Sequence, residues 1–440
     1  MLVEGIELYR HQQVFLSLLQ SDMPIAGFLE AGTGKTLPVL YFIAKKLIAG
    51  DIEDVLIVAP AATKGVWSRD MDKFEPDVRE KLEQALTVVS YDLVWRREEY
   101  RKHWGIIVLD ESHYIKSRTA KRSKALLKMA LDSDFRVILT GTPIGNKRME
   151  DIWSQFTFLY PQWGYRGTVK SQIFGSWKDF TDRYCILDKY WKPYRYLRVS
   201  ELQDIINQYS YRVTKEECLD LPDVLPDEVW EIDLGEPKLY KEMANHGVIE
   251  KLQMVADNSL TQSLRLRQIC SGFVSEGKEI TPLRNKKIQA LSEFLDGHEK
   301  KLVIYAEFTY SIRAISQLLM KRGTKHVILD GKTRDKNIWK KFQSDDSIRV
   351  IVCQSQAAGA GIDLFAADTE LYYEMTTSSV VHEQCRARIH RVGQTQKCSY
   401  VYFITKGSME RTQYRTLKDQ LDFSDKVFGE YLKDFQKGRA

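Results

Sequence analysis

Short, wholly apolar runs bounded by turns, alternating with helical patterns, constrain the fold of this chain more than any other feature. Early in the sequence the runs are Ile25–Leu29, Val55–Ala59, Leu86–Val89, Ile106–Leu109 and Val137–Leu139. A strand apolar at every position must be covered on both faces, as in the parallel sheet of an α/β layer structure. A helical stretch, Leu37–Ile48, follows the first run directly, with Pro38 in its first turn, where a missing N–H does no harm. The rhythm returns late, in Leu302–Ala306, Val327–Leu329, Val350–Cys353, Leu371–Tyr373 and Tyr400–Ile404. Helical stretches near Ser311–Arg322, Asp335–Phe342 and Ser379–Arg391 separate these runs. The expectation is α/β, with two parallel-sheet units in tandem over 1–151 and 285–423 and a helical tail over 424–440.

Between them, 152–284 reads as a helical insertion rich in aromatic residues, among them Trp153, Phe156, Phe158, Tyr160, Trp163, Trp177, Tyr190 and Trp191. Basic residues are interleaved: Arg166, Lys170, Lys178, Arg183, Lys192, Arg195 and Arg198. Such a mixture can stack bases and contact phosphates. For any single residue there, core aromatics and a solvated charged face are the simpler reading.

Composition excludes more than it selects. The 440 residues carry 65 basic and 60 acidic side chains, a net charge of +5 that permits a basic groove without demanding one. Six cysteines include no C-x-x-C pair, which argues against a zinc ribbon or a redox pair and for reduced thiols. The N-terminus has no basic-then-apolar signal pattern, and no apolar run approaches the roughly 20 residues that span a bilayer. A soluble intracellular protein is expected, in cytoplasm or nucleoid if the source is prokaryotic or viral, with no membrane partner.

The strongest local signal is Glu30-Ala31-Gly32-Thr33-Gly34-Lys35-Thr36, placed after an apolar run and opening a helical pattern. Glycines let successive backbone N–H groups turn toward a phosphate, and the helix N-terminus behind adds partial positive charge. Lys35 then reaches the β- and γ-phosphates of ATP, and the Thr36 hydroxyl ligates Mg²⁺. Position 29, glycine in the full pattern, is Leu29 here. The run Ile106–Leu109 delivers Asp110-Glu111-Ser112-His113 at its C-terminal end, where open α/β sheets bind ligands. Asp110 there can hold the Mg²⁺ of bound ATP through water, and Glu111 can polarise an attacking water. An isolated Asp-Glu pair would read as a helix cap with a first-turn acid; the phosphate loop upstream reverses that preference.

These strings resemble motifs I and II of superfamily-two helicases, and the remaining ones resemble those of Swi/Snf-type ATPases. Leu8–Gln12 is similar to the N-terminal motif whose glutamine reads adenine. Leu56–Pro60 with Trp67, Val89–Asp92 and Leu139–Asn146 resemble motifs Ia, Ib and III. Val303–Phe308, Ala358–Leu364 and Gln384–Gln394 resemble motifs IV, V and VI, and Leu329–Gly331 the element between IV and V. Arg212–Lys215 before Leu221-Pro222, and Leu266–Cys270, also match the family, so the resemblance covers nearly the whole chain in order. Ser112 stands where many members have Ala, as in the annealing-helicase branch, and no chromodomain, bromodomain or zinc module is visible.

The resemblance implies two RecA-like lobes around one nucleotide. Lobe one would supply Gln12, Gly32, Thr33, Gly34, Lys35, Thr36, Asp110 and Glu111; lobe two would supply Gly361, Asp363 and the arginine fingers Arg388 and Arg391. Arginine suits a finger because its planar fork stays charged and meets phosphate oxygens bidentately. His113, Thr140, Gly141, Thr142 and Gln384 would couple nucleotide state to nucleic-acid grip, and Lys64, Trp67, Ser90, Tyr91 and Thr309 would contact nucleic acid. The implied activity is ATP-driven translocation on double-stranded DNA, in preference to single-stranded DNA or RNA. Two rivals share these residues: a strand-separating helicase, for which no wedge is identifiable in the sequence, and a scaffold that has lost catalysis.

Overall fold

Alternation within each apolar run decides which face a residue covers. In the computed structural model, residues 1–21, 23–61, 63–145, 148–277, 279–335, 337–358, 361–420 and 434 are described. Apart from position 434, the expected tail at 424–440 lies outside the described residues, as do 421–423 and Asn146, Gly359 and Ala360 of the motif strings. The chain divides into two units, Met1–Asp220 and Leu221–Ala440.

In the first unit, the strands of the main sheet are β1 (Ile25–Leu29), β2 (Val55–Ala59), β3 (Leu86–Ser90), β4 (Trp104–Asp110), β5 (Ser133–Leu139) and β6 (Ser210–Val213). They lie in the order β6-β1-β5-β4-β2-β3, all parallel. Ala26, Phe28, Leu56, Val58, Ile107 and Leu109 enter one apolar cluster; Ile25, Leu29, Val55, Ile57, Ile106 and Val108 enter the other. The period-2 alternation thus fills a core on each side of one sheet. Helices Arg10–Leu19 and Thr36–Ala49 cover the second face through Phe15, Leu16, Leu40 and Ile43.

In the second unit, β7 (Glu228–Ile232), β8 (Leu302–Tyr305), β9 (His326–Leu329), β10 (Val350–Cys353), β11 (Thr369–Tyr372) and β12 (Ser399–Thr405) form another parallel sheet, ordered β7-β12-β11-β8-β10-β9. Its two faces again carry separate cores, one with Val303, Tyr305, Ile351 and Tyr402, the other with Leu302, Ile304, Val350 and Phe403.

The stretch 152–284 is divided between the units. Residues up to Asp220 pack with the first and contribute its edge strand β6; those from Leu221 pack with the second and contribute β7. Of its aromatics, Trp153, Phe156 and Phe158 are core, whereas Trp163, Tyr190 and Trp191 are exposed. All six cysteines are free. Among the described residues no helix is long and apolar enough to cross a membrane.

Candidate functional site

The C-terminal ends of β1, β4 and β5 converge at one edge of the first sheet, and the loops leaving them carry the chemistry. After β1, Gly32 and Gly34 take φ of 96° and 78°, the left-handed region open to glycine. A Cβ on Gly34 would stand 2.4 Å from Gln12 Nε2, so this glycine is required by space as well as by backbone. Gln12 donates from Nε2 to the carbonyls of Gly34 (3.0 Å) and Thr33 (3.3 Å), and its Oε1 accepts from Tyr9 N at 3.0 Å. In this structure Gln12 therefore braces the phosphate loop. Lys35 caps the helix Thr36–Ala49, and Thr33 and Thr36 are buried at its mouth.

β4 ends on Asp110, and Glu111 follows with φ 55° and ψ 56°, a left-handed conformation that a non-glycine residue seldom adopts. That twist turns the Glu111 carboxylate toward the phosphate loop. Lys35 Nζ lies 2.7 Å from Glu111 Oε1 and 3.9 Å from Asp110 Oδ1. Asp110 Oδ2 accepts from the Trp67 indole at 3.2 Å, and its carbonyl accepts from the Tyr91 hydroxyl at 2.9 Å. Burial raises the Asp110 carboxyl, against the pull of Lys35. Burial acts on Glu111 in the same direction, but Lys35 and His113 outweigh it and hold this carboxyl well below the usual range.

After β5, Thr140 Oγ1 donates to Glu111 Oε2 at 3.3 Å and accepts from Thr142 N at 3.1 Å. His113 Nδ1 lies 3.1 Å from Thr140 Oγ1 and 3.3 Å from Glu111 Oε2. A Cβ on Gly141 would lie 3.2 Å from Ala31 N and 3.3 Å from Glu30 Cα, so this turn rests directly on the phosphate loop. His113, Thr140, Gly141 and Thr142 thus join the acidic pair to the phosphate loop in one contiguous network.

The second unit brings its own candidates together. The helix Ser379–Arg386 ends before Arg388 and Arg391, which lie in the following turns; the helical stretch read through Arg391 is corrected accordingly. They converge instead on the carbonyl of Ile362, to which Arg388 Nη1 donates at 3.4 Å and Arg391 Nη1 at 3.1 Å. Arg391 also pairs with Asp363, beside Gly361 at φ 65°. Gln384 is half-buried in the helix.

The expected nucleic-acid contacts fare unequally. Trp67 is fully buried and Tyr91 is 2% exposed; their rings belong to the two cores and their polar atoms support Asp110, so neither is available to an external strand. Ser90 is also buried, while Lys64 and Thr309 are half-buried at helix N-termini. Sequence reasoning missed two supports. Gln155 accepts from Ser112 Oγ at 2.7 Å and donates to Pro143 O at 2.7 Å, bridging two loops of the site. Glu30 accepts from Lys215 N at 2.9 Å, tying the phosphate loop to the chain after β6. The Glu30–Lys215 tie had a signal, since Lys215 stands in one of the matched strings; Gln155 had none.

The donor set fits a magnesium-bound triphosphate. Asp110 Oδ1 is buried without a hydrogen-bond partner, 3.9 Å from a lysine that a phosphate could draw away, and Thr36 is buried at the start of the helix behind the phosphate loop. Among the described residues no cluster of three His, Cys, Asp or Glu could hold a metal alone, so a cation here would share its shell with phosphate and water.

A phosphate loop and an acidic pair at the strand ends of one parallel sheet, followed by a second parallel sheet, define the helicase-like class with tandem RecA-like domains. The SNF2-related domain family matches residues 13–273, and the helicase conserved C-terminal domain matches 286–393. The chain belongs to the SNF2-related family. It is 25% identical over 435 residues to an uncharacterized ATP-dependent helicase of Mycoplasma pneumoniae, covering 92% of this chain and 40% of that protein. It is also 25% identical to the mouse DNA annealing helicase and endonuclease ZRANB3, covering 88% of this chain and 37% of that one. The chain therefore spans about two fifths of the length of these curated relatives. A Sulfolobus solfataricus SWI2/SNF2 ATPase core in complex with dsDNA is similar at 22% identity and a TM-score of 0.45, over 100% of this chain and 96% of that one.

Proposed function

We propose that the protein is a DNA-dependent ATPase that couples hydrolysis to translocation on double-stranded DNA. The observation that carries this reading is the Lys35–Glu111–Asp110 cluster at the mouth of the phosphate loop, linked through Thr140 and Gly141 to a second loop. Relatives known as an ATP-dependent helicase and a DNA annealing helicase support it.

In this reading Lys35 exchanges Glu111 for the β- and γ-phosphates when ATP binds. Glu111 stays buried but loses its strongest cationic neighbour, so its carboxyl rises toward the range of a useful general base. It then takes the proton of the water that attacks the γ-phosphorus, as the bond to the leaving ADP oxygen breaks. Mg²⁺, held by Thr36 and Asp110, would screen the phosphate charge. Arg388 and Arg391 would exchange the Ile362 carbonyl for phosphate oxygens, a contribution on the order of 10³-fold or more for such a finger. Thr140, His113 and Gln384 would report nucleotide state to the DNA-binding surface, where Lys64 and Thr309 remain the available candidates; Trp67 and Tyr91 would position Asp110.

The test is ATP hydrolysis with a panel of blunt duplex DNA, single-stranded DNA and RNA, with duplex length varied. Stimulation by duplex DNA that grows with length before levelling is the expected result. A rate indifferent to nucleic acid, or raised only by RNA, would sink the proposal.

A further inference from the structure

Two β-hairpins of the first unit leave large aromatic side chains in solvent. The first pairs Pro161–Trp163 with Val169–Ser171; Trp163 and Tyr165 are 61% and 78% exposed. The second pairs Cys185–Leu187 with Pro193–Tyr196; Tyr190, Trp191 and Tyr194 are 68%, 80% and 65% exposed. Phe174, Phe180 and Tyr184 from the same stretch are buried, so this region does have a core, and these rings are outside it. The backbone raises the same question. Trp191 has φ 61° and Arg166 φ 52°, at turn positions glycine would occupy without strain. A bulky side chain kept there points to a role other than folding.

Charge is concentrated in the same place. Residues 160–198 hold eight basic and three acidic side chains, and Glu201 just beyond them pairs with Arg183 and Arg198. All three acids are committed locally. Asp188 accepts from Tyr190 N and Lys192 N at 2.8 and 2.9 Å, Asp179 caps its helix through Ser176 N at 2.7 Å, and Asp182 pairs with Lys178 at 3.2 Å. Arg166, Lys189, Lys192 and Arg195 form no ion pair among the described residues and are exposed. Arg166 lies over the Tyr165 ring at 5.0 Å and Lys189 over the Tyr190 ring at 5.1 Å.

From this we infer that the two hairpins bind unpaired DNA bases, with Trp163, Tyr165, Tyr190 and Trp191 stacking on them and the flanking cations taking the phosphates. Aromatic rings beside exposed cations match the alternation of flat base and anionic backbone in a single strand. A base inside a duplex has no open face to offer, so this surface selects strand ends, forks and gaps. The inference rests on the reading above for DNA as ligand, and it adds the element by which the protein would distinguish a junction from an intact duplex.

The test uses the full chain and fluorescence anisotropy with three probes: oligo(dT), a fork with unpaired arms, and a blunt duplex. Tyr190→Ala/Trp191→Ala and Trp163→Ala/Tyr165→Ala should keep the wild-type melting temperature, because the rings lie outside the core. Each should lose roughly ten-fold or more in affinity for oligo(dT) and the fork, and about two-fold or less for the blunt duplex. Duplex-stimulated hydrolysis should be unchanged. Equal losses on fork and blunt duplex would overturn the proposal in favour of a simple phosphate grip. No loss on any probe would overturn it in favour of a protein-binding surface. Tighter, ring-dependent binding of oligo(rU) would reassign the ligand to RNA. If wild-type hydrolysis ignores duplex DNA while oligo(dT) binding still depends on these rings, the ATPase reading fails and this one stands.

Discussion

In the first unit four ionisable groups, Lys35, Asp110, Glu111 and His113, meet at the loops after β1, β4 and β5, at the mouth of a ligand site. In the second, such groups are dispersed through the framework. Lys287 and Glu410, 1% and 6% exposed, pair at 2.6 Å, and Arg386 bonds Asp227 at 3.0 Å and the Tyr402 hydroxyl at 2.6 Å. Tyr305, Tyr372 and Tyr402 stack in series, with Tyr402 next to Arg386. The same kinds of side chain thus serve two ends. A ligand can compete for Lys35 because its partners face a phosphate loop, whereas Lys287 is held on one side by Glu410 and on the other by the Tyr373 carbonyl at 2.9 Å.

Replacing one charge in each unit should separate these roles. Glu111→Gln keeps the side-chain shape and should lower turnover by about 10²–10⁴-fold, because the lost charge is the one assigned to proton transfer, with a smaller loss of stability than a broken core pair, because Lys35 is partly exposed and keeps Asp110 at 3.9 Å. Hydrolysis rates and a thermal melt on one preparation decide this; near-normal turnover would remove Glu111 from that role. Lys287→Met should do the opposite. It strands the Glu410 carboxylate in the core and should destabilise the protein by about 3–5 kcal/mol, as seen in urea melts. A Lys287→Met protein of unchanged stability would show that the second unit's charges are as displaceable as the first's.

The sequence made the interior of each sheet legible and its margins less so. Ile25–Leu29, Val55–Ala59 and Val350–Cys353 begin and end where the apolar runs do, because a central strand covered on both faces admits no polar residue. The edge strands Ser210–Val213 and Glu228–Ile232 mix charged and apolar residues and carry no such run, so they were absorbed into an expected insertion. The phosphate loop and acidic pair were legible because glycine conformation and strand-end placement fix them locally. Trp67 and Tyr91 were not, since a motif gives a position but not the direction of a side chain. The tie between Glu30 and Lys215 joins residues 185 positions apart; the matched string marked Lys215 as a residue of interest, and the folded sheet shows its partner.

Two buried groups, one in each unit, should also respond oppositely to pH. In the first, burial outweighs Lys116 and Arg148, with Glu150 adding to it, and pushes the Asp151 carboxyl up to about 6 from 3.8. A raised carboxyl favours the fold while protonated, so this contribution is full below about 3.8 and is lost as pH rises through about 6, about 3 kcal/mol in all. In the second, burial and then Arg386, against Asp227, push His382 down to about 3 from 6.5. The unfolded chain takes up this proton first, so the contribution is full above about 6.5 and falls by about 2–3 kcal/mol on reaching roughly pH 4.5. Urea melts across that range should show Asp151→Asn flattening the loss toward neutral pH and His382→Gln flattening the loss toward acid. Parallel shifts in the two variants would mean that the two groups do not differ in this respect.

The smallest effect probes how finely the first unit holds its displaceable charges. Trp67 gives Asp110 a hydrogen bond from a fully buried indole, and that bond favours the ionised carboxylate against the burial that raises it. Trp67→Phe keeps most of the ring and removes the donor. A hydrogen bond to a charged group contributes about 1.5–3 kcal/mol, part of which water or a bound cation can restore. The half-saturating Mg²⁺ concentration for hydrolysis should therefore rise several-fold, with turnover recovering at saturating Mg²⁺ and DNA affinity unchanged. A loss of DNA affinity with an unaltered Mg²⁺ requirement would return Trp67 to the nucleic-acid surface and place the control of Asp110 elsewhere.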